Sequence, residues 1–288
     1  MCQKLNMNFT PTIFCHSSQS LLTSYDIFNL NQLNSSVWTR DIDDYRKYDY
    51  CLTICCSKAE NSTQWFSCFT DLSGLFTPVE SILAKQKTLR LTTLKIIDHS
   101  DIDTFDDNFK EISLQQIQNF LVPFIQSHLA SRPSFIEHLV PNFPKIHFAD
   151  RSCRHLQLVY SGQNSLHFLK HQLEYDHLET LELRGAWPAG TSHLTAEFFK
   201  KPSCKAIDTI FVHLPKKTFS VMLDRFIQNQ PDMELTGPTE LTLKDARKFY
   251  AGYQHQTSCK SGILWIAGSK WLYAVIKNGF VAAAACSI

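Results

Sequence analysis

Leu178-Glu179-Thr180-Leu181-Glu182-Leu183-Arg184-Gly185-Ala186-Trp187-Pro188 is the stretch on which the fold turns. An apolar residue, two spacers, an apolar residue, one spacer and an apolar residue give way to a glycine and a Trp-Pro pair, and Pro favours an extended or turn conformation before it. The same spacing occurs at Leu91-Leu94-Ile96, Cys153-Leu156-Leu158 and Ile207-Ile210-Val212, with a weaker copy at Pro238-Leu241-Leu243. The last four copies start 25, 29 and 31 residues apart, near the length of a leucine-rich repeat.

Between the copies the apolar period changes from strand to helix. Phe219, Met222, Leu223 and Phe226 form one stripe, as do Ala246, Phe249, Tyr250 and Tyr253 behind a capping box that opens at Thr242. Leu166, Leu169 and Leu173 mark a further helix with Asn164 or Ser165 as its cap, and Leu194 and Phe198 a short one. Leu114, Ile117, Leu121 and Phe124 mark an earlier helix that Pro123 is expected to kink. Strand and helix alternating at this spacing imply parallel strands joined by right-handed crossovers. The expected fold class is α/β: leucine-rich-repeat-like stacked strand–helix units with parallel strands, plus an N-terminal β-hairpin region. The asparagine usual after the Leu-x-Leu run is replaced by Ala186 and Pro215, so the match is in period and not in consensus.

Working outward, residues 1–44 read as a lead-in and residues 45–90 as the hairpin region. In the latter, Tyr45 to Cys56 and Gln64 to Phe69 flank the polar turn Ser57 to Ser62. Residues 91–256 carry the repeat array, and residues 257–288 an apolar C-terminal tail. That tail is interrupted by Lys270 and Lys277, too early for the 18–20 apolar residues a spanning helix needs, so a membrane anchor is not expected. Met1 to Asn8 holds no apolar signal core. The ten cysteines are therefore expected as reduced thiols and the address as cytoplasmic or nuclear.

Of 288 residues, 44% are apolar and 19% charged, which excludes wholesale disorder. Lys plus Arg is 28 against 27 Asp plus Glu, so no global field favours nucleic acid. Only nine glycines are present, and no phosphate-cradling or nucleophile-elbow motif occurs. Cys51, Cys55, Cys56 and Cys68 are dense enough to suggest zinc, yet the second knuckle is missing and buried thiols are the ordinary state of cysteine. His167 and His171 stand four apart on an expected helix, but Phe168 takes the place of a general-base glutamate. The acidic run Asp98 to Asp107 lacks the mid-loop glycine of a calcium loop. Lys200-Lys201 and Lys216-Lys217 read as solvated helix ends. No catalytic residue, metal site or cofactor is expected.

One resemblance bears on function. Phe14-Cys15, Trp38, the hairpin ending Gln64-Trp65-Phe66-Ser67, and Leu181-Glu-Leu-Arg-Gly185-Ala-Trp187-Pro188 follow in order. A short helix ending Phe198-Phe199-Lys200-Lys201-Pro202 and a final helix over Leu241 to Tyr253 complete the layout. This layout, over roughly residues 9–254, resembles the nematode-expanded group of F-box-like and F-box-associated proteins. The resemblance implies a non-enzymatic substrate receptor of a cullin-RING ubiquitin ligase. Its N-terminal element, with Phe14, would bind the ligase adaptor, and its repeat surface would bind an unknown target. Pro11-Thr12-Ile13-Phe14 stands where an F-box has a Leu-Pro opening. Phe14 and Trp187 are the candidate protein-binding residues, Trp187 as an anchor at the rim of the array. A hydrolase of unknown class, or a membrane-associated protein using the C-terminal tail, are the alternatives.

Overall fold

The computed structural model describes residues 49–59, 62–84, 89–98, 108–138, 140, 143–144, 146, 151–228, 232–249, 255–259 and 262–287. It divides into two compact units, Met1–Arg154 and His155–Ile288, a boundary that matches none of the compositional ones. The Leu91-Leu94-Ile96 copy thus belongs with the hairpin and not with the array.

The first unit is built on β1 (Asp49–Ala59) and β2 (Ser62–Asp71), an antiparallel hairpin whose register runs from Tyr50↔Asp71 to Ala59↔Ser62. After α1 (Val79–Ala84), β3 (Arg90–Asp98) returns parallel to β1; β4 (Lys110–Ile112) borders β2, and β5 (Phe135–His138) runs parallel to β3. The order is β4-β2-β1-β3-β5. Leu91 and Leu94 are three apart and would face opposite ways on a regular strand. A bulge at Thr92 lets Tyr50 pair Leu91 while Cys51 pairs Thr93, so that Leu91, Leu94 and Ile96 are all buried. At the strand starts the Asp49 carboxylate accepts two hydrogen bonds from the Arg90 guanidinium, at 2.7 and 2.8 Å.

The expected kink is a π-helical turn. Ser113 and Gln116 form a capping box for α2 (Leu114–Gln116), the backbone widens over Ile117–Leu121, and α3 (Val122–His128) follows. Pro123 has no N–H to give to the preceding turn, and the Val122 N–H reaches back five residues to Ile117 O. Phe124 then meets Phe69 edge-on, ring centroids 5.7 Å apart.

In the second unit β6 (His155–Val159), β7 (Thr180–Arg184), β8 (Ala206–Thr209) and β9 (Met233–Pro238) lie side by side, all parallel and in chain order. They are joined by α4 (Gln163–Glu174), α5 (Thr191–Phe199) and α6 (Lys216–Ile227). Phe219, Met222, Leu223 and Phe226 are buried, as their spacing requires. The cap expected at Asn164 or Ser165 is displaced: α4 starts after Gly162, and Ser165 Oγ instead accepts from the Ser161 N–H at 3.0 Å.

Two copies of the repeat are corrected by the register. Leu156, Leu181, Ile207 and Leu235 are mutual partners, so the units recur at 25, 26 and 28 residues. Ile207 therefore occupies the place of Leu181, and the third copy is Cys204-Ile207-Thr209, not Ile207-Ile210-Val212; Ile210 is 41% exposed. Thr209 passes for a polar residue in sequence, but its hydroxyl donates to Val212 O at 2.8 Å and can be buried without penalty. The fourth copy centres on Leu235 and Gly237, not on Pro238-Leu241-Leu243. A side chain at 237 would collide with Thr209 and Leu214, which fill that place. Thr242 and Asp245 make the expected capping box, at the head of α7 (Leu243–Lys248).

Residues 262–287, within the expected apolar tail 257–288, are instead laid out as sheet. β10 (His255–Cys259), β11 (Gly262–Ala267), β12 (Lys270–Lys277) and β13 (Phe280–Ser287) form an antiparallel meander, and β13 pairs β9. The full order is β6-β7-β8-β9-β13-β12-β11-β10. Asn278 and Gly279, both at positive φ (54° and 73°), turn β12 into β13 as a type I′ hairpin requires. No described helix is long and apolar enough to cross a membrane.

Candidate functional site

The strands β6 to β9, β12 and β13 alternate, and the alternation separates a covered face from an open one. Leu156, Leu158, Leu181, Leu183, Ile207, Leu235, Val281, Leu272 and Trp265 are buried, and Phe219 of α6 lies against Trp265 with centroids 5.7 Å apart. The opposite face carries no helix of this unit among the described residues. Its residues follow from the register, row by row. One row is His155, Thr180, Ala206, Glu234, Ala284, Tyr273 and Leu264; the next is Gln157, Glu182, Asp208, Thr236, Ala282 and Val275.

The open face has a polar end and an apolar end. On β6 and β7, His155 Nδ1 is hydrogen-bonded to Thr180 Oγ1 at 2.6 Å. Gln157 Nε2 donates to Glu182 Oε1 at 3.1 Å, and Arg184 pairs with the same carboxylate. On β11 and β12, Leu264, Ile266, Trp271 and Tyr273 line a shallow depression of about 390 Å³, closed at one end by the Gly268-Ser269 turn. Ile266 is 43% exposed and Phe280 37%. Between the two ends runs β13, whose middle presents Ala282 and Ala284, with Phe280 and Cys286 at its ends. Small side chains there sink the middle of the face, leaving a trough between Tyr273 and Glu234.

Trp187, read as a rim anchor, is not available for that role. Gly185 takes a φ of 79°, turning the chain so that the Trp187 indole N–H donates to Arg184 O at 2.8 Å. The ring packs on Tyr160 at 5.2 Å and is buried. It plugs the end of β7, since burying the indole removes far more apolar surface than displaying it would gain. Phe14 lies outside the described residues. The exposed aromatic of this region is instead Phe211, beside Ile210 in the loop after β8.

The remaining sequence candidates find ordinary surroundings. Cys51, Cys55 and Cys68 share one face of the β1–β2 hairpin and Cys56 the other, and no group of three or more ligating side chains occurs among the described residues. His171 Nε2 is 3.3 Å from the Tyr175 hydroxyl, and His167 faces solvent. Lys200 pairs with Glu197, Lys201 with Asp176 and Lys216 with Asp245, at 2.6, 3.0 and 2.9 Å. Of the acidic run, Asp98 ends β3 and residues 99–107 lie outside the described residues.

The residues that make up the open face were missed in sequence because they lie on seven different strands. One signal was present: Asn278-Gly279, the strongest short hairpin pattern, stands between the apolar runs Trp271 to Ile276 and Phe280 to Ala285. No family model, curated protein or solved structure matches the chain.

Proposed function

We propose that the chain is a non-enzymatic protein-recognition module and, following its resemblance to the F-box-like and F-box-associated group, a substrate receptor of a cullin-RING ubiquitin ligase. The observation that carries the recognition reading is the open face of the second unit, where Leu264, Ile266, Trp271 and Tyr273 lie together in front of a sheet whose other face is packed. Contiguous apolar surface beside polar residues marks protein-binding sites more often than chemistry. We read β6 to β9 as a leucine-rich-repeat-like stack. Their 25- to 28-residue recurrence, parallel register and one-sided helices favour that arrangement. The adaptor-binding element is assigned to residues 1–44, with Phe14 at its centre.

Affinity capture of the tagged full-length chain from cells tests both parts. The ligase adaptor is expected with the full chain and absent when residues 1–36 are removed. A bound target is expected with both and lost with full-length Ile266→Lys. Adaptor missing from both samples overturns the ligase reading. A target set unchanged by Ile266→Lys overturns the open face as the recognition surface.

A further inference from the structure

Three carboxylates face outward on the neighbouring strands β7, β8 and β9, and only one of them is neutralised. Glu182 is held by Gln157 and Arg184. Asp208 stands directly beside Glu182 in the register, and Glu234 follows one strand on; neither forms an ion pair among the described residues. Asp208 and Glu234 stand diagonally on neighbouring strands, and like charges at that spacing repel, so a cation over the pair is favoured. His155 is engaged with Thr180, and Lys277 sits at the far end of β12, more than about 10 Å away and screened at physiological salt.

Glu234 and Leu264 share one row, three strand spacings of about 4.8 Å apart, so the carboxylates and the aromatic depression are roughly 14 Å apart across the alanine trough. About four residues of extended chain cover that distance. Ala is a weak strand former with little to pack on an open face, whereas its small side chain lets another backbone come close. Resting on the recognition reading above, we infer that the open face takes an extended peptide segment of the target. In that segment a Lys or Arg sits over Asp208 and Glu234, and a bulky apolar residue about four positions away enters the depression at Ile266, Trp271 and Tyr273.

Selection of random dodecapeptides displayed on phage against the purified full-length protein tests this directly. The enriched pool is expected to carry a basic residue about four positions from an aromatic or branched aliphatic one. Synthetic copies should lose about tenfold in affinity on Asp208→Lys/Glu234→Lys and weaken as salt rises, while a charge-reversed acidic copy gains. Ile266→Lys should abolish binding of both. Peptides that depend on Ile266 but are indifferent to the charge reversal would overturn the cationic assignment and leave the recognition face standing. Peptides indifferent to every open-face substitution, or an empty selection, would overturn both. A dimer in sedimentation that Ile266→Lys dissociates would mean that a second copy occupies the face, which also overturns the peptide.

Discussion

Arg225 is charged, buried and committed to backbone. From α6 its guanidinium donates to Phe199 O at 2.8 Å and Cys204 O at 2.7 Å, and it stacks 5.4 Å from the Phe199 ring. Those carbonyls belong to the end of α5 and the loop beyond it, which have no helical partner. Arg225→Met keeps the stem but leaves them unsatisfied, and should cost about 2–4 kcal/mol in urea unfolding followed by tryptophan fluorescence. Arg225→Lys should recover little, because a point charge cannot hold two diverging acceptors. Cys204 beside it and Cys153 respond to burial in the opposite sense, both thiols being pushed up to about 12. At pH 8 neither should be alkylated by iodoacetamide in the folded protein, and both should be after denaturation, as read by mass spectrometry. Because unfolding releases these thiols to ionise near their ordinary value, the native state should lose stability as pH rises from about 9 toward 12. No such loss is expected below pH 8.

At the scale of elements, what the sequence revealed and what it hid have physical reasons. Amphipathic helices were legible because a single residue class repeats: α6 was read from four apolar positions, and α7 from a cap whose two hydrogen bonds are local. Strands were legible only where the inward residue is itself apolar. Thr209 and Gly237 break that rule, one by satisfying its hydroxyl on Val212 and the other by yielding its space to Thr209 and Leu214, and the repeat frame slipped at both. Gly237→Ala should accordingly destabilise by about 1–3 kcal/mol, seen as a lower urea midpoint with unchanged m-value. The meander was misread because alanine and lysine lower its hydropathy contrast, although its turn was written plainly. Replacing Asn278 and Gly279 by alanine forces two ordinary residues to positive φ. A loss of about 2 kcal/mol is expected, with earlier hydrogen exchange confined to β12 and β13. Trp187 was legible as important but not in kind: its hydrogen bond to Arg184 O depends on a glycine turn whose sense no spacing reveals.

For the whole molecule, the open face exists only because the meander completes it. Leu264, Trp271 and Phe280 come from residues 262–287, while Glu182, Asp208 and Glu234 come from β7 to β9. A chain ended at residue 254 loses the apolar half of the face and also leaves β9 as an unpaired edge above exposed core. It should elute as soluble aggregate in size-exclusion chromatography, whereas a membrane tail would give a better-behaved protein on removal. An intact, monomeric truncation would show that the meander is dispensable to the array.

The position of β13 between β9 and β12 also sets a schedule for the living cell. Proteins emerge from the ribosome from the N-terminal end, at about 5–20 residues per second, and most supersecondary units close as they appear. β9 cannot: its partner residues Val281 to Ala285 follow roughly 45 residues later, several seconds at that rate. During that interval a nascent chain exposes a strand edge rich in β-forming Leu235 and Thr236, so synthesis itself opens a window in which chaperone occupancy decides the yield.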